Sequence, residues 1–213
     1  MSAVKLAVGL GGPLSQLPAA ARETERAGFE SAWVTELEHS AFVGAGAALA
    51  ATTTLRVGTA IALAFPRSPT ITAMEAADLD ELSGGRFLLG LGSQVRRVME
   101  ERFGVPFDRP AARLAEYAAA VRTVWAAARG ETATHEGEFY RVTMPRFHGS
   151  LRPERHDPPI LFAAVGEVMA RTAGRVADGL IGHPLASARY LAEIVAPAVA
   201  VGAERAGRPA DAC

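Results

Sequence analysis

Short apolar runs alternate along this chain with longer stretches whose apolar positions recur every three or four residues. Val4–Leu10 (VKLAVGL) predicts a first buried strand, and Ser15–Gly28 a helix that Gly28 closes in a left-handed conformation. Ser31–Glu36 (SAWVTE) reads as a second strand, followed by an alanine-rich helical stretch through Thr52, and Leu55–Leu63 (LRVGTAIAL) as a third. Ser68 caps and Pro69 opens a helix that runs to the pair Gly84 and Gly85, ahead of a fourth strand, RFLLGLG, ending at Gly92. In the next helix Asp108 is expected to cap, Pro110 to open and Gly130 to close. Leu114, Tyr117, Val121, Val124, Trp125 and Ala128 fall on one face of it, the stripe of a helix packed on a sheet.

After Gly130 the rhythm breaks. Glu131–Pro159 is polar, with four prolines and three histidines, and predicts an inserted excursion with one short hairpin. The alternation resumes with a strand in Pro159–Gly166, a helix from Glu167 to Gly179, a short strand at Leu180–Pro184 and a helix from Ser187 to Ala206. Six strand-helix units spaced at roughly 25 to 30 residues imply parallel strands joined by crossover helices, in a sheet covered on both faces or closed into a barrel.

Composition narrows the function without naming it. With 213 residues, of which 49% are hydrophobic, the chain can bury a sizeable core. The 22 basic and 23 acidic residues nearly cancel, so no nucleic-acid footprint is expected. Cys213 is the lone cysteine, which excludes a disulfide framework and the paired-cysteine zinc and redox motifs. The first residues form too short an apolar run for a signal peptide or a membrane span, and a cytoplasmic setting is expected.

In a parallel α/β sheet, ligands collect at the carboxyl ends of the strands, where loops converge and helix amino termini present free N–H groups. Glu36, Glu38 and His39 leave the second strand together, a carboxylate and an imidazole able to share one pocket edge. Gly92, Ser93 and Gln94 end the fourth strand. Their surrounding GLGSQ lacks the third glycine of a dinucleotide fingerprint, and GSQV is not a nucleophile elbow, which leaves a hydroxyl and an amide able to hydrogen-bond a planar polar ring. Backbone amides from Gly166 to Val168 could hold an anion, although Glu167 opposes one and could instead cap its own helix. Gly182 and His183 end the sixth strand. His135, His148 and His156 lie in the excursion without metal-ligand spacing, so no metal site is expected.

The run RSPTITAMEAADLDELSGGRFLLGLGSQ resembles the third-helix and fourth-strand signature of the luciferase-like monooxygenases, a family of flavin- and deazaflavin-dependent oxidoreductases. AWVTELEHS resembles that family's second strand and loop, and PPILFAAVGEVMARTAGRVADGLIGHPLAS its fifth and sixth strands. The continuation ERFGVPFDRP is closer to the branch that uses the deazaflavin coenzyme F-420. The resemblance implies a TIM-type (β/α)8 barrel, here with about six of the eight units in one domain spanning residues 1–213. The excursion at 131–159 lies between strands 4 and 5, and the seventh and eighth strands are expected to be missing, as in a fragment or shortened member.

The resemblance further implies hydride transfer between F-420 and a small organic substrate. An FMN-dependent monooxygenase is the enzymatic alternative, and a non-catalytic partner subunit the other. His39, Glu38 or Glu36 would stand at the reacting edge of the ring, with the two glutamates competing for one role. Thr59, Ala60 and Ile61 would press on the ring, where relatives often carry a non-proline cis peptide. Gly92, Ser93 and Gln94 would line its floor, and Ala164, Val165 and Gly166, with Gly182 and His183 nearby, would hold the phosphate side. Several relatives place a glutamate just after the fourth strand; Ser93 and Gln94 stand there instead, and neither donates a proton usefully near neutral pH. A homodimer, or pairing with a homologous chain across the open sheet edges, is the partner expectation.

Overall fold

A computed structural model of the chain describes residues 5–144, 158–209 and 213. In chain order these form β1 (Ala7–Leu10), a 3-10 turn, α1 (Leu17–Arg26), β2 (Ser31–Val34), α2 (Ala41–Ala50), β3 (Arg56–Thr59), β4 (Ala62–Leu63), α3 (Pro69–Ser83), β5 (Phe87–Gly92), α4 (Arg96–Arg102) and α5 (Pro110–Ala128). There follow β6 (Ala133–Glu136), β7 (Arg141–Met144), β8 (Ile160–Ala164), α6 (Glu167–Val176), β9 (Gly179–Gly182), α7 (Ala188–Tyr190), a π-helical turn and α8 (Ala196–Arg205).

The strands make one parallel sheet in the order β1-β2-β3-β5-β8-β9, with β4 continuing the β3 path beside the end of β5. This is the curled six-strand part of a (β/α) barrel, as the family resemblance implies. β5 runs through its centre with all six residues buried, which is why it reads as an unbroken apolar run. The register brings Val34 beside Thr59, Leu63 beside Gly92 and Ala164 beside Gly182, so the strand ends form one mouth.

Helices cover the outer face through the predicted stripes. Leu114, Tyr117, Val121, Val124 and Trp125 of α5 are fully buried. Two polar tips pin α5 to α3: the Trp125 indole donates to the Ala73 carbonyl at 2.9 Å, and the Tyr117 hydroxyl lies 2.6 Å from that of Thr72. At the other side of the sheet α6 and α8 cross in backbone contact. A Cβ on Gly174 would stand 2.0 Å from the Val199 carbonyl oxygen, and one on Gly202 would stand 2.0 Å from that of Arg171.

Several local expectations hold and two need correction. The Ser68 hydroxyl accepts the Ile71 N–H at 3.2 Å to cap α3, and Gly28 closes α1 at φ +81°. Asp108, however, does not cap α5. Arg109 occupies the N-cap position in a left-handed conformation at φ 35°, and the Asp108 carboxylate pairs with the Arg109 side chain. The third apolar run is also not one strand, because a cis peptide between Ala60 and Ile61 divides it into β3 and β4. The excursion carries the expected hairpin in β6 and β7, anchored by Glu116, whose carboxylate accepts the N–H groups of Glu138, Phe139 and Tyr140 at 3.0, 2.8 and 2.6 Å. His135 lies in β6, whereas His148 and His156 fall outside the described residues.

Candidate active site

The mouth opens where β3, β5, β8 and β9 end. A cavity of about 670 Å³ lies there, bounded on one side by Ala60 and Ile61 and below by Ser93 and Gln94. Its far wall is made by Ala164, Val165 and Gly166, and its rim by Gly182 and His183. Nine of the predicted contact residues therefore line one space. Thr59 and Gly92 sit behind it. The buried Thr59 hydroxyl donates to the Gly90 carbonyl at 2.7 Å and accepts the Gly90 N–H at 3.0 Å, which fastens β3 to β5. Gly92 leaves room for Ile61: a Cβ there would meet the Ile61 Cδ1 at 1.9 Å.

The polar groups around this cavity are mostly donors. α6 begins at Gly166 with no side-chain cap, and Glu167 turns its carboxylate to Arg171 one turn on, so the first amides of α6 point outward unoccupied by side chains. His183 Nδ1 accepts the Leu185 N–H at 3.2 Å, which leaves the proton of the neutral ring on Nε2. Ser93 donates to the Gln94 carbonyl, and the Gln94 Oε1 accepts the Val95 N–H at 3.0 Å, so the NH2 of this left-handed residue is its remaining donor. Among the described residues, none that lines the cavity carries a carboxylate. A smaller recess of about 330 Å³ adjoins Val165 and His183, and Tyr190 closes it by donating its hydroxyl to the Val165 carbonyl at 2.9 Å.

The three candidates at the β2 exit separate from one another. Glu38 and His39 are exposed and line a second recess of about 560 Å³ together with Gly11 and Gly12 at the β1 exit. Glu36 faces inward and is committed: its carboxylate accepts both terminal nitrogens of Arg67 at 2.6 Å and the Leu63 N–H at 2.7 Å. Glu36 and Glu38 are thus set apart by Arg67, a residue that the sequence reading passed over. The available signal was a lone arginine just ahead of the α3 cap, between two apolar runs. Tyr190 was passed over as well; its signal was an aromatic residue three positions after the Ser187 cap.

The luciferase-like monooxygenase family profile matches residues 2–213. The chain belongs to this family. An uncharacterized protein of Mycobacterium tuberculosis is 42% identical over 199 residues, 92% of this chain and 58% of its own length. The 5,10-methylenetetrahydromethanopterin reductase of Methanolobus tindarius is 30% identical over 202 residues, with the same 92% and 58% coverage. Among solved structures, the coenzyme F-420-dependent tetrahydromethanopterin reductase of Methanopyrus kandleri superimposes with a TM-score of 0.85 at 25% identity, covering 99% of this chain and 64% of that one. The chain thus spans somewhat under two thirds of the length of these proteins.

Proposed function

We propose that the protein carrying this chain is an F-420-dependent oxidoreductase of the luciferase-like family, acting on a small organic substrate such as an alcohol, a sugar phosphate, an imine or an enone. The observation that carries this reading is the cavity at the strand ends, whose described lining offers donors and no carboxylate, a setting matched to a flat, anionic coenzyme. Its resident would be held by the main chain at Ala60 and Ile61, by Ser93 and the Gln94 NH2, by the uncapped amides of α6 and by the His183 Nε2–H. When bound, F-420 supplies the hydride chemistry; the protein orients it and keeps water away. The apolar walls at Ile61, Val165 and Ile181 serve that exclusion. With Glu36 committed to Arg67, the proton that accompanies hydride transfer to a carbonyl falls to His39, to Glu38 beside it, or to solvent.

Separate titration of the purified protein with F-420 and with FMN tests this reading. Quenching or a spectral shift of F-420 at micromolar protein, with FMN unaffected, is the expected result. A response to FMN alone would transfer the site to the flavin-dependent monooxygenases, and silence toward both would remove the ring-binding reading.

A further inference from the structure

The ladder between β2 and β3 ends with the Ala60 N–H donating to the Val34 carbonyl at 2.7 Å. Past that point the next bond from this segment back to the β2 exit is made by a side chain: Leu63 gives its N–H to Glu36. Between these two attachments lie Ala60 and Ile61, the residues that face the cavity from this side. Where the segment stands is therefore decided at one end by a main-chain bond and at the other by two attachments, the pairing of β4 with the end of β5 and the Glu36 carboxylate.

That carboxylate is itself held with unusual thoroughness. Arg67 meets both of its oxygens in a fork, which fixes the carboxylate plane as well as its position. The pair is shielded, with side-chain exposures of 22% for Arg67 and 9% for Glu36. The guanidinium lies 5.3 Å from the centre of the Phe42 ring, and a second carboxylate, Glu75, stands 3.6 Å from its Nε. A hydrogen bond to Leu63 alone would need only a neutral acceptor. A paired, stacked and desolvated charge is more than a loop anchor requires, and its main-chain hydrogen bond is to the segment that bounds one side of the cavity.

We propose that Glu36 and Arg67 are positioning residues, a clamp that sets how far Ala60 and Ile61 project into the cavity and so how the ring is seated there. The proposal rests on the cavity being the ring site. The test uses the full chain in four forms: wild type, Glu36→Gln, Arg67→Lys, and Arg86→Lys as a control. Arg86 is a comparably enclosed arginine at the opposite end of the sheet, bonded to the carbonyls of Leu49, Thr52 and Leu55.

Hydrogen exchange at the Leu63 amide of the unliganded protein is read first. It is expected to quicken about tenfold in Glu36→Gln and in Arg67→Lys, the change that loss of one charge-assisted bond produces. The Kd for F-420 is read second and is expected to rise about five- to tenfold in the same two variants, with a shifted absorption band of the bound coenzyme. In Arg86→Lys the melting temperature should fall while Kd, band position and Leu63 exchange stay at wild-type values. Wild-type exchange and Kd in both clamp variants would overturn the proposal, as would an equal rise of Kd in Arg86→Lys, since that would trace the effect to general destabilisation. Arg67→Lys preserves the charge and carries the test if Glu36→Gln fails to fold. If wild-type protein takes up neither F-420 nor FMN, the ring-binding reading falls by itself, and unchanged Leu63 exchange in the variants would still overturn the clamp.

Discussion

The two ends of the parallel sheet are built on opposite terms. At the amino ends of the strands, charged side chains pair with main-chain groups. Glu25 accepts the N–H groups of Thr53, Thr54 and Leu55 at 2.9, 2.6 and 2.9 Å, and Arg86 donates to the carbonyls of Leu49, Thr52, Leu55 and Ser83. Asp178 joins the Ile160 amide to Arg122. At the carboxyl ends, α6 begins without a side-chain cap, and Val165 stays 63% exposed beside the cavity. A barrel end that must receive ligands leaves its donors open, and the end that receives nothing closes them. Stability and binding should accordingly respond to substitutions at different ends.

The largest effect is expected from Arg86→Ala at the closed end. Removing it strands several carbonyls, at a cost of about 3 kcal/mol. In a chain of this size that corresponds to a fall in melting temperature of roughly 6 to 12 °C, measurable by calorimetry with no change in the Kd for F-420 once folded. Gly92→Ala at the open end should do the reverse. The added methyl collides with the tip of a flexible side chain, so stability should fall by only about 1 kcal/mol. Ile61 must then turn into the cavity, and the Kd for F-420 should rise about tenfold. A Gly92→Ala variant that keeps its Kd, or an Arg86→Ala variant whose folded form loses affinity, would contradict the division between the ends.

Two finer tests concern charge. The amide of Thr54, with those of Leu55 and Thr53, holds the Glu25 carboxyl at a pKa of about 2, below its ordinary value of 4.5 and against an opposing desolvation second only to the Thr54 bond. A lowered folded-state pKa means that the stabilisation is complete above about pH 4.5 and is lost as pH falls toward 2. Glu25→Gln should therefore melt lower than wild type at pH 7, and the two curves should converge under acid. Exposure of this carboxylate keeps the difference to a few degrees at most. The smallest effect is expected from Glu167→Gln. Losing the exposed pair with Arg171 costs about 0.3 kcal/mol, while removing a negative charge beside the open amides of α6 should tighten binding of an anionic coenzyme about twofold.

Much of the fold is legible in the sequence because parallel strands buried on both faces print as continuous apolar runs, as Phe87–Gly92 does. Helix ends are legible where a side chain carries the signal, as Ser68 does. Asp108 misleads because an aspartate before a proline has the form of a cap, yet its carboxylate finds a nearer partner in Arg109. The division of the third run leaves no mark in the apolar pattern, since neither a glycine nor a proline stands at Ala60–Ile61; only the family resemblance, with its non-proline cis peptide there, points to it. The site is legible as a set of strand ends, because topology alone brings them together. Roles within it are not: Glu36 and Glu38 are equivalent by spacing, and only a partner 31 positions away assigns one of them to the interior.

The crossing of α6 and α8 bears on the mouth from a distance. Gly174 lies eight residues after Gly166, about 12 Å along the helix axis. With main chain touching main chain at Gly174 and again at Gly202, the rod is gripped near its far end, and its aim toward the cavity cannot wander independently of α8. A single methyl wedged into that grip would act as a lever, swinging the tip at the cavity while leaving every residue of the cavity wall chemically unchanged.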